Sequence, residues 1–143
     1  TWIMYEYKCS PIKIVDGDTV DIRIDLGFSI YHSCRVRLYG IDTPESRTRD
    51  KIEKKFGLLA KNYLKDFIKD CGKELIIKTK KDSKGKYGRI LGELFKQGET
   101  NSINTIMIEN GYGVSYHGQS KKEIEEEHLQ NRQHLVNMGL IEL

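Results

Sequence analysis

Three carboxylates and two guanidiniums stand where side chains converge instead of spreading over a surface. Asp18 opens a strand in "VDGDTVDI" (15–22), Arg37, Asp42 and Glu45 crowd into "RLYGIDTPE" (37–45), and Arg89 closes "GKYGR" (85–89). Carboxylates at strand ends and turns, with a backbone carbonyl nearby, form an all-oxygen donor set that suits calcium or magnesium and not zinc. The four histidines, 32, 117, 128 and 134, show no HxxxH or HExxH spacing, and no cysteine pairs with them. Taken singly, each acid has a plain structural reading: Asp16-Gly17-Asp18 as a hairpin turn, Thr43-Pro44-Glu45 as a turn or helix start. Arg37 does not fit that reading. It lies inside a strand between Val36 and Leu38, which face the other way, and a guanidinium at the closed end of a small barrel needs an anion. Two arginines, two or three carboxylates and lysines nearby suit one task, gripping a phosphate while a metal and a base act on it.

The elements that must position these residues follow from periodicity. Val20, Ile22, Ile24 and Leu26 alternate with Asp21, Arg23 and Asp25, which marks a half-buried strand. The Asp16-Gly17 turn before it makes 5–15 and 18–27 neighbouring antiparallel strands. Residues 30–41 form a third strand with Arg35, Arg37 and Tyr39 on one face. A later hairpin joins 75–77 and 90–95 through "DSKGKYG". Apolar residues recur from Ile52 to Ile68 as a helical stripe ending at Gly72. Ser102 caps a short helix over 103–110, and 123–138 forms a third that closes at Gly139. Five short antiparallel strands with a helix after the third predict an α+β fold, an OB-type five-stranded Greek-key barrel with three α-helices.

Composition sets the outer bounds. At 143 residues, 38% hydrophobic and 31% charged, the chain reads as one domain, 1–143, with a real core. No apolar run reaches the length of a membrane span, so no membrane partner is expected, and a monomer is. Cys9, Cys34 and Cys71 are odd in number with no CxxC, which favours reduced thiols and a reducing, cytoplasmic setting; a secreted form whose signal has been removed is the other reading. The net charge is +3, yet Lys73 to Arg89 holds seven basic residues against two acids. That stripe reads either as a polyanion contact or as a solvated lysine-rich hairpin.

"VDGDTVDI", "RLYGIDTPE" and "KYGRI" (86–90), in this order, resemble the three signature segments of the staphylococcal-nuclease-like (thermonuclease) family, and "ENGYG" (109–113) with Tyr116 resembles a fourth. The likeness runs from about residue 12 to 136. It implies an OB-type barrel with three helices and a calcium-dependent phosphodiesterase acting on DNA or RNA, single strands favoured. Carried over residue by residue, it makes Asp18 and Asp42 the metal-binding carboxylates and the carbonyl of Thr43 the backbone ligand. Glu45 becomes the base that activates water, and Arg37 and Arg89 the pair that grips the scissile phosphate. Lys86, Tyr87 and Tyr116 become contacts to the neighbouring phosphate or base. Two departures stand out. The connection over 25–34 is longer, which is expected to reshape the rim of the groove, and His117-Gly118 follows Tyr116. The rival reading is an OB-fold module that binds nucleic acid or a protein ligand without cleaving; such modules lose some of the five charged site residues, all of which this chain retains.

Overall fold

The computed structural model describes residues 5–80 and 90–142. Five strands close a barrel in the order β1 (Tyr5–Asp16), β2 (Thr19–Asp25), β3 (Tyr31–Leu38), β6 (Ile90–Lys96) and β5 (Leu75–Lys80), with β5 pairing back onto β1. The sequence pattern predicts antiparallel pairing throughout, and in one place the structure corrects it: β3 and β6 run parallel, Val36 opposite Ile90 and Arg37 opposite Leu91. The reason is topological, since strands in a closed ring of odd number cannot alternate direction all the way round.

The third strand is also shorter than the predicted 30–41. It stops at Leu38, and Gly40 (φ +77°) takes a left-handed turn that side chains disfavour. The chain then re-enters as a short β4 (Ile41–Asp42), antiparallel to β7 (Val114–Ser115). This two-stranded annex carries Asp42 off the barrel and towards the helices. Asn104 braces it. Buried in α2 (Ile103–Glu109), its amide donates to the carbonyls of Tyr39 (2.8 Å) and Gly92 (3.2 Å), while its oxygen accepts from the Leu94 N–H.

The core is the inner face of the barrel capped by α1 (Lys51–Cys71). Val20, Ile22, Val36, Leu38, Leu75, Ile77 and Leu94 meet Phe56, Ala60 and Leu64 with essentially no exposure; burial of each larger aliphatic side chain stabilises the fold by roughly 1.5–3 kcal/mol. Asp50 caps α1 by accepting from the N–H groups of Ile52 and Glu53. The third helix, α3 (Lys121–Asn137), opens on a capping box between Ser120 and Glu123. Among the described residues no helix is long and apolar enough to cross a membrane. The cysteines are free, Cys9 and Cys71 buried, and burial pushes the Cys9 thiol up to about 12.

The long 25–34 connection does not reshape the rim, contrary to expectation. Thr19 pairs with Arg37 at one end of the β2–β3 hairpin and Asp25 with Tyr31 at the other, so the tip lies about 20 Å from the site end. Leu26 ends on that tip, exposed, and not in the half-buried stripe predicted for it.

Two glycines set how closely α1 approaches. A Cβ on Gly57 would collide with the Glu45 carbonyl oxygen and stand 2.6 Å from the Ser46 nitrogen; one on Gly17 would meet Ala60 Cβ at 2.8 Å and Thr43 Oγ1 at 2.9 Å. Alanine is the better helix former by about 1 kcal/mol, yet at 57 the helix or the Glu45-Ser46 peptide must move. Gly57→Ala is therefore expected to lower stability, net, by ~2 kcal/mol, read from urea unfolding. A stabilised variant would show that the approach is not a constraint.

Candidate active site

The site assembles around Arg37. Its place at the end of β3 points the guanidinium to the outer side of the barrel wall, at the mouth between β2, β4 and α3. Nη1 donates to the Ile41 carbonyl at 2.8 Å and lies 3.2 Å from Asp18 Oδ2; Nη2 lies 3.4 Å from Asp42 Oδ1. Asp18 and Asp42 thus share one cation, although they come from a hairpin turn and from the annex beyond the Gly40 turn.

Asp18 is nearly buried, and burial pushes its carboxyl above the usual range. Arg37 and the Thr43 N–H, which donates to Asp18 Oδ2 at 3.1 Å, pull it down; the neighbouring charge of Asp42 pushes it up again. Two carboxylates held close and partly desolvated are poised for more positive charge than one guanidinium supplies. The oxygens that could accept a cation are those of Asp18 and Asp42 with the Thr43 backbone carbonyl, a hard donor set. Among the described residues no cluster of three or more His, Cys, Asp or Glu side chains has the arrangement of a metal centre, so further ligands would have to be backbone oxygen or water.

Glu45 stands apart from this pair, exposed, with no hydrogen bond or ion pair among the described residues. Its backbone is fixed on both sides, by Gly57 of α1 and by Ser46. The buried Ser46 donates through both its N–H and its hydroxyl to Asp16 Oδ1. Asp16 therefore works as an anchor for the Glu45 turn. Glu45 lines a cleft of about 650 Å³ together with Arg37, Asp42, Thr43 and Tyr116. Tyr116 reaches it because its N–H donates to the Gly40 carbonyl at 2.8 Å. Arg35, on the same strand face as Arg37, is instead spent on Asp21 in a forked pair at 2.8 and 3.2 Å, which holds the Asp21 carboxyl below the usual range. Lys86, Tyr87 and Arg89 lie outside the described residues. From the basic stripe, Lys78 and Lys80 sit over the rings of Phe95 and Tyr39.

Two residues of the cleft were not singled out by sequence reasoning. His128 Nε2 is 2.9 Å from Asp42 Oδ2, and Arg132, one turn on, has its guanidinium 5.4 Å from the Phe56 ring. A signal was present. Ile124 and Leu135 are the buried positions of α3, and the helical period places 128 and 132 on that inward side. Polar residues at inward positions mark an interior polar contact. Among the described residues, the buried side-chain polar atoms without a partner are Thr43 Oγ1, His128 Nδ1 and Arg132 Nε, and all three residues line this cleft. Unmade hydrogen bonds cost about 1–3 kcal/mol each when buried, and here they gather at one place, as they would around an absent polar ligand.

A model of the family described as "Staphylococcal nuclease homologue" matches residues 35–137. The chain is 28% identical to Endonuclease YhcR of Bacillus subtilis over 78% of its own length and 9% of that protein's. It is 32% identical to Probable endonuclease LCL3 of Yarrowia lipolytica, over 62% of this chain and 38% of that one. An uncharacterized protein of Methanocaldococcus jannaschii is 28% identical over 77% of this chain and 59% of its own. The chain thus spans less than two thirds of the length of each of these relatives.

The electrostatics of Asp18 yield a stability test. Its carboxyl pKa is raised by folding, so the folded chain holds a proton that the unfolded chain has released, and stability falls as pH climbs from the ordinary carboxylate range, about 3.9. Asp18→Asn removes that slope. Urea unfolding across a pH series, in chelator, is expected to show the wild type losing stability relative to the variant as pH rises. A difference that grows the other way would mean that Arg37 outweighs burial.

Proposed function

The chain belongs to the staphylococcal nuclease homologue family, and on that premise we propose that it is a calcium-dependent phosphodiesterase that hydrolyses DNA or RNA, single strands favoured, with little sequence preference. The observation that carries this reading is the meeting of Asp18 and Asp42 on Arg37 at the wall of a cleft into which Glu45 projects unpaired. Among the described lining residues, Asp42, Glu45, Asp50, Glu53 and Glu125 face only Arg37, Lys121 and Arg132 as permanent cations. That excess of acid among the described residues would be offset by a divalent cation on the carboxylates, which supports a metal-dependent reaction over simple binding.

In this proposal Asp18, Asp42 and the Thr43 carbonyl hold calcium, which when bound supplies charge neutralisation at a phosphoryl oxygen. Arg37 contributes through its geometry. Nη1 is tied to the Ile41 carbonyl at 2.8 Å, whereas Nη2 has only the longer 3.4 Å contact to Asp42. Nη2 is thus the donor that can turn to a non-bridging oxygen and strengthen as negative charge builds on it. Arg89 is proposed as the second guanidinium; the residue after it, Ile90, pairs with Val36, the neighbour of Arg37. Glu45 takes the proton from the attacking water. Its turn is anchored by Ser46 and Asp16 without occupying its own carboxylate oxygens. Tyr116 offers a face on which any base can stack, and Lys86 and Tyr87 are proposed to contact the adjacent phosphate.

Labelled single-stranded DNA and RNA, incubated with calcium and then with EDTA, test the whole reading. Cleavage that stops on chelation is expected; binding without cleavage in both conditions would assign a binding module instead. Glu45→Gln should slow cleavage by ~10²–10⁴-fold with unfolding unchanged, and near-wild-type turnover would remove it as base. Arg89→Lys keeps the charge and loses the fork, so a loss of ~10²-fold is expected; a loss of only a few fold would argue against bidentate contact.

A further inference from the structure

A second groove, of about 580 Å³, lies between α1 and β1. Its floor includes Ile12, Ile14 and Ile68, and its rim carries Lys13, Lys61, Lys65 and Lys69 with no carboxylate among the lining residues. Two register shifts in β1, at Pro11/Lys13 and at Ile14/Asp16, break the strand's alternation and let Lys13 join its neighbours on one side. On α1 the three lysines are four residues apart, a ridge that winds about 40° round the helix per step with a cation about every 6 Å. Asp66 and Asp70 are not among the residues that line the groove, although Asp66 lies beside Lys69, three residues further on. Among the described residues none of the three α1 lysines is in an ion pair; Lys13 stands opposite Asp21 in the ladder and helps hold that carboxyl low.

A groove with no acid in its lining that gathers three unpaired α1 lysines beside Lys13, on a chain of net charge +3, is complementary to a polyanion. The helix also links the two clefts. Glu53 lines the catalytic cleft, and Lys61 to Lys69 follow it along the axis by about 12 to 24 Å, within reach of a strand that continues a few nucleotides beyond the cleaved bond. Ala60, which touches Gly17 beside Asp18, immediately precedes the ridge.

We propose that this groove is a second nucleic-acid contact, in which Lys61, Lys65 and Lys69 track successive phosphates of a long strand while the isoleucine floor receives its sugars and base faces. The inference rests on the nucleic-acid reading above and adds to it a dependence on substrate length. The site would raise affinity for polynucleotides over short oligomers without touching the reacting phosphate.

The test is the triple variant Lys61→Ala, Lys65→Ala, Lys69→Ala, which improves helix propensity if anything. With calcium, its KM for a long single-stranded oligonucleotide is expected to rise by ~10-fold or more, while kcat/KM for a trinucleotide stays within about twofold. In EDTA, the slope of log affinity against log salt on the long strand should shrink by about 2, from ~0.7 per phosphate contact on single strands. Equal losses on both substrates, no loss on either, or an unchanged slope would each overturn the proposal. If the wild type cleaves neither substrate the nuclease reading falls alone, because the salt slope still decides the groove. Binding of the wild type to phosphatidylserine vesicles that the triple variant abolishes, with the oligonucleotide slope unaltered, would make the groove a lipid-surface contact instead.

Discussion

The Arg37 guanidinium is the interaction on which the rest of the structure depends. It is a cation fixed at the end of a strand by the Ile41 carbonyl and set against two carboxylates twenty-four positions apart. A buried carboxylate such as Asp18 is costly without a partner, and one guanidinium only partly offsets two acids. The remaining shortfall of positive charge is a local electrostatic frustration, and it is stable only because the surrounding fold is rigid. Three supports supply that rigidity: the Gly40 turn that separates Asp42 from the barrel, the Asn104 amide that clamps the turn, and the Thr43 N–H that completes the Asp18 shell.

Helix α1 does more than cover the barrel. Along one length it brings Asp50 and Glu53 to the cleft, Phe56 beneath Arg132, Gly57 against the Glu45 peptide and Ala60 against the Asp16–Asp18 turn. Each contact couples core packing to the placement of a charged group, so a shift of the helix would move the carboxylate pair and Glu45 relative to one another. Helix α3 closes the cleft from the other side and contributes His128 to Asp42.

Much of the fold was legible because burial on one face leaves a period in the sequence. The alternation over 20–24 gave β2, the 52–68 stripe gave α1, and Ser102 lies where α2 starts; the Ser120 cap of α3, ahead of the expected start at 123, went unread. What failed was continuity. Nothing in "RLYGID" distinguishes a strand that runs through Gly40 from one that turns there, because the decision rests on pairing with Val114-Ser115, more than seventy residues on. The parallel β3–β6 contact is likewise a property of ring closure, which no local pattern encodes.

The chain by itself determined the chemistry on offer: Asp18, Arg37, Asp42 and Glu45 are charged groups at turns and strand ends, where solvation alone does not explain them. It also determined the barrel class, through periodicity. Only the tertiary structure decided how those groups divide their work. Asp16 became an anchor for Ser46, Arg35 a surface partner of Asp21, and His128 a neighbour of Asp42. It also lined the α1 lysines along an acid-free groove instead of a mixed surface. The physical reason is the same in each case. Residue type fixes what a side chain can donate, accept or neutralise, but its partner is chosen by distances that exist only after the helices have packed onto the barrel.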